Sequence, residues 1–231
     1  DIKQELIEDE QFWNIIKIDE KKLFFQSLNR IYIYDEPAQT FKIIDSETTI
    51  TKMYKANNSV YFQEMNLGLF QIVGDKKVLV SGDEILKNDV ITNIFSFGDE
   101  LLILTQNNGF YELKNGSTIE WKNPINSSIK NKSIYSGIQL KDKSFLLGTI
   151  SDGILQANDK GEILMLIDQK NGLLNNTVLS VFEDQKNNIW LGLDNGVTCI
   201  NMKSPFKTYF DNEGILGSVY TSALYKDKIY L

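Results

Sequence analysis

The chain repeats one short pattern along most of its length, and this repeat constrains its fold more than any other feature. Each copy contains an apolar strand-like run, a polar turn and a second apolar run. The turn ends at positions 30, 68, 109, 153 and 196, with Arg in the first copy and Gly in the others. The steps between these positions are 38, 41, 44 and 43 residues. A fixed period of roughly 20–50 residues is typical of proteins built from stacked structural repeats.

The fifth copy shows the whole repeat unit most clearly. Alternating or apolar runs at 178–183, 189–193, 197–201 and 206–210 predict four strands, separated by polar turns. Asn-Gly and Asp-Gly pairs in these turns accept the positive φ values that tight hairpins need. Four antiparallel strands in about 43 residues correspond to one blade of a β-propeller. The sequence therefore predicts an all-β propeller with blades centred on the five turns.

A sixth copy of the pattern begins near the end of the chain. Lys228–Leu231 matches Asn188–Leu191, which predicts a partial blade from residue 214. The whole chain, residues 1–231, then forms one domain of about five and a half blades. An open array leaves its outer blades without neighbours, so either the first and last segments pair to close a small ring, or the chain is a fragment of a seven-bladed propeller whose other blades lie beyond Leu231. We expect the second arrangement.

Charge and hydrophobicity exclude two classes of partner. The formal net charge is −7, and the lysines are scattered, with no run longer than the pairs Lys21–Lys22 and Lys76–Lys77. Binding to nucleic acid needs clustered Lys and Arg, so we expect no direct contact with nucleic acid. The longest apolar runs, such as 101–104, are far too short to cross a bilayer, so a membrane anchor would lie outside this chain.

The chain has no histidine and one cysteine, Cys199. The missing histidine removes the commonest general base and the commonest zinc ligand. We therefore expect no enzymatic activity in this segment, no bound metal and no cofactor. A single cysteine cannot form an internal disulfide, and Cys199, within a strand-like run, is expected to be a small buried hydrophobe.

The fifth copy also resembles a known repeat family. Residues 171–184 and 188–197 resemble the two-component regulator propeller repeat, which reads Gly-Leu, then Val, then Asp-x-x-Gly-x-Ile-Trp-x-Gly-Thr-x-x-Gly-Leu. This sequence departs from the pattern at Asn187, Leu193 and Val197, where the family favours Gly, Thr and Leu. Asn tolerates the left-handed backbone that Gly adopts, so Asn187 fits the same turn.

The resemblance implies a role in signalling. Such repeats form periplasmic sensor regions of bacterial regulators, chiefly from Bacteroidetes, with a histidine kinase or a LuxR-type output outside this segment. It implies an extracytoplasmic ligand-binding domain of a membrane-anchored transcription regulator, which pairs as a homodimer and binds a carbohydrate or another small molecule. Two alternatives stay open: an enzyme acting on polysaccharide and a non-catalytic scaffold for protein interactions, because a propeller fold does not fix function.

Candidate binding residues come from the turns and from the tryptophans. A propeller brings equivalent turns to one face, so amide and carboxylate groups there could surround a polyhydroxylated ligand. The alternative is that tight turns favour these residue types for their own conformation. Trp121 is predicted to be an exposed ring, whereas Trp190, aligned with Phe62 and Ile103, is predicted to be core. The candidate ligand-binding residues are Trp121, Asn175, Asn176, Asp194 and Asn195.

Paired carboxylates could in principle catalyse glycoside hydrolysis. The adjacent pairs are Glu183 with Asp184 and Asp83 with Glu84. Adjacent residues of a strand point to opposite faces, so neither pair is arranged for catalysis, and structural roles are expected.

Overall fold

A computed structural model describes residues 10–202, 204, 218–226 and 228–230. These residues form five antiparallel sheets in series and a final hairpin, with short helices α1 (Glu84–Asn88) and α2 (Pro124–Ile129) and a 3-10 helix at Gln169–Asn171. The strands of the first three sheets are β1 (Asn14–Lys17), β2 (Lys22–Gln26), β3 (Arg30–Asp35), β4 (Thr40–Asp45), β5 (Ile50–Ala56), β6 (Ser59–Glu64), β7 (Gly68–Val73), β8 (Lys76–Ser81), β9 (Ile91–Phe97), β10 (Glu100–Thr105), β11 (Gly109–Lys114) and β12 (Ser117–Glu120). The remaining strands are β13 (Ile134–Gln139), β14 (Phe145–Thr149), β15 (Ile154–Ala157), β16 (Ile163–Ile167), β17 (Val178–Glu183), β18 (Asn188–Leu193), β19 (Gly196–Asn201), β20 (Ala223–Tyr225) and β21 (Lys228–Tyr230).

Each sheet pairs its strands in chain order, which is the arrangement of a propeller blade. We call the sheets blades one to five, from β1–β4 to β17–β19. The predicted all-β propeller architecture is confirmed. The fourth strand predicted at 206–210 and the predicted start of a sixth blade at 214 lie outside the described residues, while β20 and β21 form a two-stranded hairpin after them.

The hairpin turns within a blade depend on backbone conformations that only some residues adopt. At Gly153 φ is +72°, and a Cβ atom there would overlap the carbonyl oxygen of Ile167. Asn187, in the turn between β17 and β18, adopts the left-handed conformation with φ of +66°. Asn at this position therefore replaces the Gly of the family repeat without changing the turn.

The core lies between successive blades. We call the side of a blade that packs on the next blade its forward face, and the opposite side its rear face. Four apolar clusters fill the four interfaces. The strand register aligns the same three positions in each interface, two on the forward face of one blade and one on the rear face of the next. These trios are Phe24 and Ile31 with Val60, Tyr61 and Leu69 with Leu101, Leu102 and Phe110 with Phe145, and Leu146 and Ile154 with Ile189.

Two sequence predictions about blade five are wrong. Trp190 is 43% exposed, not core. The turn of the fifth copy is one residue shorter than that of the fourth, so alignment on the turn glycine shifts the strand by one residue and to the opposite face. Trp190 corresponds to Leu102 and Leu146, on the forward face. Cys199, paired with Trp190 across the sheet, is also exposed, because no described residue covers this face.

Candidate functional site

The turns between second and third strands lie on the same side of the molecule as the connections between blades. Because the strands alternate in direction, both kinds of loop emerge from the same strand ends. Hydrogen bonds join them: the Gly153 backbone N–H donates to the Asn176 carbonyl oxygen at 3.1 Å, and the Asp194 N–H donates to the Thr177 carbonyl oxygen at 3.2 Å. We call this side the turn face.

The turn face brings together four of the candidate binding residues, Asn175, Asn176, Asp194 and Asn195. Asn175 and Asn176 lie in the connection from blade four to blade five, beside the turn that contains Asp194. Their side-chain oxygens accept backbone hydrogen bonds, Asn175 from Thr177 at 2.8 Å and Asn176 from Gln169 at 2.7 Å. These oxygens thus shape the connection.

Asp194 and Asn195 are exposed on the turn itself. Asp194 forms a backbone bond to the neighbouring connection, and Asn195 lies beside it in the turn. A ligand-binding role of these residues stays a prediction.

Trp121 lies elsewhere on this face and is half-buried instead of exposed. Its ring makes edge contacts with Phe97, Phe110 and Phe145, at centroid distances of 6.0, 5.5 and 5.9 Å. These contacts extend the aromatic core between blades three and four. The exposed ring was predicted from the polar residues around Trp121. These residues belong to the connection between blades three and four, whereas the Trp121 ring itself points into the core.

A cavity of about 200 Å³ opens at the outer part of the turn face, beside the connection from blade four to blade five. Its apolar side comes from strands β15 and β16 of blade four. Its polar side comes from α2, the residues that follow it, the blade-four turn and the start of the 3-10 helix. The lining residues are Ser128, Lys132, Asp152, Leu155, Ile163, Leu166, Ile167, Asp168 and Asn171.

The polar groups of this cavity are held in place by local bonds. Lys132 Nζ forms an ion pair with Asp152 Oδ1, and this hydrogen bond lowers the pKa of the Asp152 carboxyl. Asp168 caps the 3-10 helix by accepting from Lys170 N at 2.9 Å and Asn171 N at 3.2 Å. Asn171 Oδ1 accepts from the Asp168 N–H in return. The cavity thus presents fixed donors and acceptors next to aliphatic side chains.

A second cavity, of about 210 Å³, lies on the opposite face between blades one and two. Its lining includes the ion pair between Lys42 Nζ and Asp75 Oδ2, 3.5 Å apart. None of its lining residues belongs to a connection between blades, and none of the candidate residues lies near it in sequence.

The adjacent carboxylates have structural roles. Glu183 Oε2 accepts from the Lys141 N–H at 2.8 Å, and Asp184 accepts bonds within its own turn. Asp83 Oδ2 accepts from the backbone and hydroxyl of Thr118. Within the described ranges, no three His, Cys, Asp or Glu side chains are grouped to hold a metal ion.

Sequence reasoning missed Lys52, on the innermost strand of blade two. A bulge places Thr51 and Lys52 opposite Gln63, and the Lys52 side chain is exposed. Desolvation by the surrounding protein lowers the pKa of its ammonium group, even though part of the side chain reaches solvent. A bulge depends on how two strands pair, so the sequence pattern of one strand gave no signal for it.

Comparison with known proteins gives a family for one part of the chain and a fold for most of it. The sequence profile of the two component regulator propeller family matches residues 172–195. No curated protein sequence matches the chain. None of the helices in the described part is long and apolar enough to span a membrane.

Two structures of an extracellular domain from B. thetaiotaomicron are similar to this chain. One, described as a one component system, matches with a TM-score of 0.64 and 20% identity over 84% of this chain and 28% of that one. The other, described as a hybrid two component system, matches with a TM-score of 0.51 and 21% identity over 84% of this chain and 33% of that one. The chain therefore spans about a third or less of these relatives.

Two further structures share the fold. The WD40 β-propeller domain of Doa1 matches with a TM-score of 0.61 and 10% identity, over 84% of this chain and 66% of that one. Streptogramin B lyase matches with a TM-score of 0.58 and 16% identity, over 85% of this chain and 70% of that one. Together with the blades described above, these matches identify the chain as a β-propeller segment that carries a two component regulator propeller repeat at residues 172–195.

Proposed function

We propose that this chain is the ligand-sensing part of an extracytoplasmic propeller in a membrane-anchored bacterial transcription regulator. The repeat at 172–195 and the likeness to extracellular domains of one component and hybrid two component systems support this class. The sensor binds a carbohydrate in the turn-face cavity lined by Lys132, Asp152 and Asn171. The observation that carries the proposal is this cavity, which adjoins the start of the family repeat.

The chemistry of the cavity suits a sugar. A sugar ring has apolar C–H faces and hydroxyl groups at its rim, and the cavity offers aliphatic side chains from β16 beside charged and amide groups. Binding sites of this kind combine an apolar surface with a few placed polar groups. A volume of about 200 Å³ suits one sugar unit, with the rest of an oligosaccharide outside the cavity.

Signalling would follow from a change in how two copies pair. A ligand shifts an equilibrium only by its different affinity for the two states. The connection from blade four to blade five, which lines the cavity and also contacts the blade-five turn, would transmit ligand binding to blade five. The homodimer and the membrane anchor, outside this chain, belong to this proposal.

The test is calorimetric titration of the protein with a panel of plant and host oligosaccharides. Lys132→Met and Asp152→Asn each remove a charged hydrogen-bonding group, so each variant should weaken binding by about tenfold or more. The matched control is Lys42→Met, which removes a charge from the second cavity and should leave the affinity unchanged. Binding that neither cavity variant affects would overturn the assignment of the site.

The enzyme alternative rests on one specific observation, the shared fold with streptogramin B lyase. Incubation with the same oligosaccharides and measurement of new reducing ends tests it. Turnover that survives repurification and follows the protein peak would replace the sensor proposal by an enzyme. No binding and no turnover across the panel, with a stable protein partner recovered, would favour the interaction scaffold.

A further inference from the structure

The forward face of blade five is an exposed apolar surface. Phe182, Trp190 and Val197 on this face are 63%, 43% and 64% exposed. The residues that correspond to Trp190 in the first four blades are at most 7% exposed, because the next blade covers each of them. These residues are Phe24, Tyr61, Leu102 and Leu146. A face with the same residue chemistry and no cover marks an interface.

The strand register indicates which kind of residue should cover the forward face of blade five. In blade five, Gly192 pairs with Val197, as Gly148 pairs with Ile154 in blade four. Trp190 and Val197 are therefore the two forward-face members of a fifth trio. In the four complete interfaces the third member precedes the Trp190-type residue of the next blade, as Ile189 precedes Trp190.

The hairpin β20–β21 supplies the missing third member. Ile229 precedes Tyr230 in β21, as Ile189 precedes Trp190 in β18. Leu224 and Ile229 pair across the hairpin and share one face, where they are 74% and 63% exposed, so this face of the hairpin is also an uncovered apolar surface. Apolar side chains on both partners make mutual burial favourable.

The spacing along the chain agrees with this role. Between β19 and β20 there are 21 residues, against 20 between β15 and β17 and 19 between β11 and β13. In the earlier blades this length holds the fourth strand and the connection to the next blade. The hairpin therefore occurs where the first two strands of a sixth blade belong.

We propose that β20–β21 begins a sixth blade and docks on the forward face of blade five, with Ile229 against Trp190 and Val197. Docking extends the pattern of the four complete interfaces by one step. It also covers Cys199, which lies on the same face as Trp190 and pairs with it. The occupant of this surface is thus a segment of the same chain.

Thiol trapping tests the contact in the full chain. In a Cys199→Ser background, Val197→Cys and Ile229→Cys should give an intramolecular link on oxidation or with a short bismaleimide. Peptide mass spectrometry would identify the linked residues. Lys132→Cys with Asp152→Cys, whose native side chains form an ion pair, serves as the positive control. Val197→Cys with Lys226→Cys, placed in the hairpin turn, is the matched control and should link at least tenfold less.

A second measurement uses the natural cysteine. With the hairpin docked, Cys199 should react with Ellman's reagent at least tenfold more slowly in the native chain than in an Ile229→Asp variant. Equal rates in two folded proteins would overturn the proposal. A link between residues 197 and 229 of two different chains would also overturn it, since a second copy would then occupy the face.

Discussion

The indole Nε1 of Trp190 donates a hydrogen bond to Asp184 Oδ2 over 3.1 Å, which ties the turn between β17 and β18 to the forward face of blade five. Asp184 also accepts from the side chain and backbone of Asn188 and from the backbone of Lys186. These bonds, of which that from the Asn188 side chain has the largest effect, lower the pKa of Asp184 from 3.8 to about 2. The charged carboxylate of Asp184 thus organises this turn.

Asp184→Asn should therefore change how stability depends on pH. A carboxyl with a lowered native pKa stabilises the fold above its unfolded pKa, and this contribution is lost as pH falls through its native pKa. Between pH 4 and pH 2 the native protein should lose stability more steeply than the variant. Urea midpoints at half-unit steps of pH measure the difference. Asp159→Asn is the control, since the Asp159 side chain makes no hydrogen bond in the described ranges, and an identical slope for Asp184→Asn and the native protein would contradict the prediction.

The repeat could be predicted from sequence because its signals are local. Turn residues such as Asn187 and Gly153 and the alternation within strands depend on a few neighbouring residues. The face on which Trp190 lies depends on the length of a single turn, and a one-residue difference reverses it. The strand register, rather than the residue composition, therefore determines the face on which Trp190 lies.

The candidate site was only partly predictable. Asn175, Asn176 and Asp194 were predicted because turns favour their residue types, and they lie at one connection. None of the five predicted residues, however, lines the turn-face cavity. The turn-face cavity, which includes Lys132 and Asp168, combines segments that are about 40 residues apart in sequence. Such proximity follows from the packing of whole blades, which no single segment encodes.

The packing between blades four and five predicts that a larger residue at Gly148 lowers the stability of the chain. A Cβ atom there would lie 2.7 Å from Val178 Cγ1 on blade five and would overlap Ser136 Oγ. Gly148→Ala should destabilise the chain by about 1–3 kcal/mol, because overpacking forces the two blades apart. Urea unfolding followed by circular dichroism measures this loss. Gly82→Ala is the control, since the nearest atom to its Cβ is Lys87 Cε at 3.6 Å. An equal loss of unfolding free energy for the two variants would contradict the prediction, because it would mean that the two blades adjust to the added methyl group at little cost.

Asn126 of α2 binds a strand of blade three through its side chain. Its Oδ1 accepts from the Phe110 N–H at 2.8 Å, and its Nδ2 donates to the carbonyl oxygens of Phe110 and Trp121. Asn126→Ala takes this acceptor from the buried Phe110 N–H and removes two further hydrogen bonds, at a cost of about 2–4 kcal/mol. Thermal unfolding should show a clearly lower midpoint than that of the exposed neighbour variant Ser127→Ala. A shift no larger than that of Ser127→Ala would mean that water replaces the lost bonds.

Glu64 is fully buried and forms an ion pair with Lys77. Glu64 Oε1 lies 2.8 Å from Lys77 Nζ, and Lys77 also lies 3.3 Å from the exposed Glu47 and over the ring of Phe70. Lys77→Met should cost about 3 kcal/mol, because it leaves a buried carboxylate without its counter-charge. Glu47→Gln should cost less than about 1 kcal/mol, since that pair is exposed to solvent.

The double variant Glu64→Gln with Lys77→Met separates the charge from the packing. It removes the unpaired carboxylate, so it should be more stable than Lys77→Met alone in urea unfolding at pH 7. This order of stabilities follows only if the penalty comes from the isolated charge of Glu64. If the double variant were the less stable of the two, the aliphatic part of Lys77 and its contact with Phe70 would account for the loss instead.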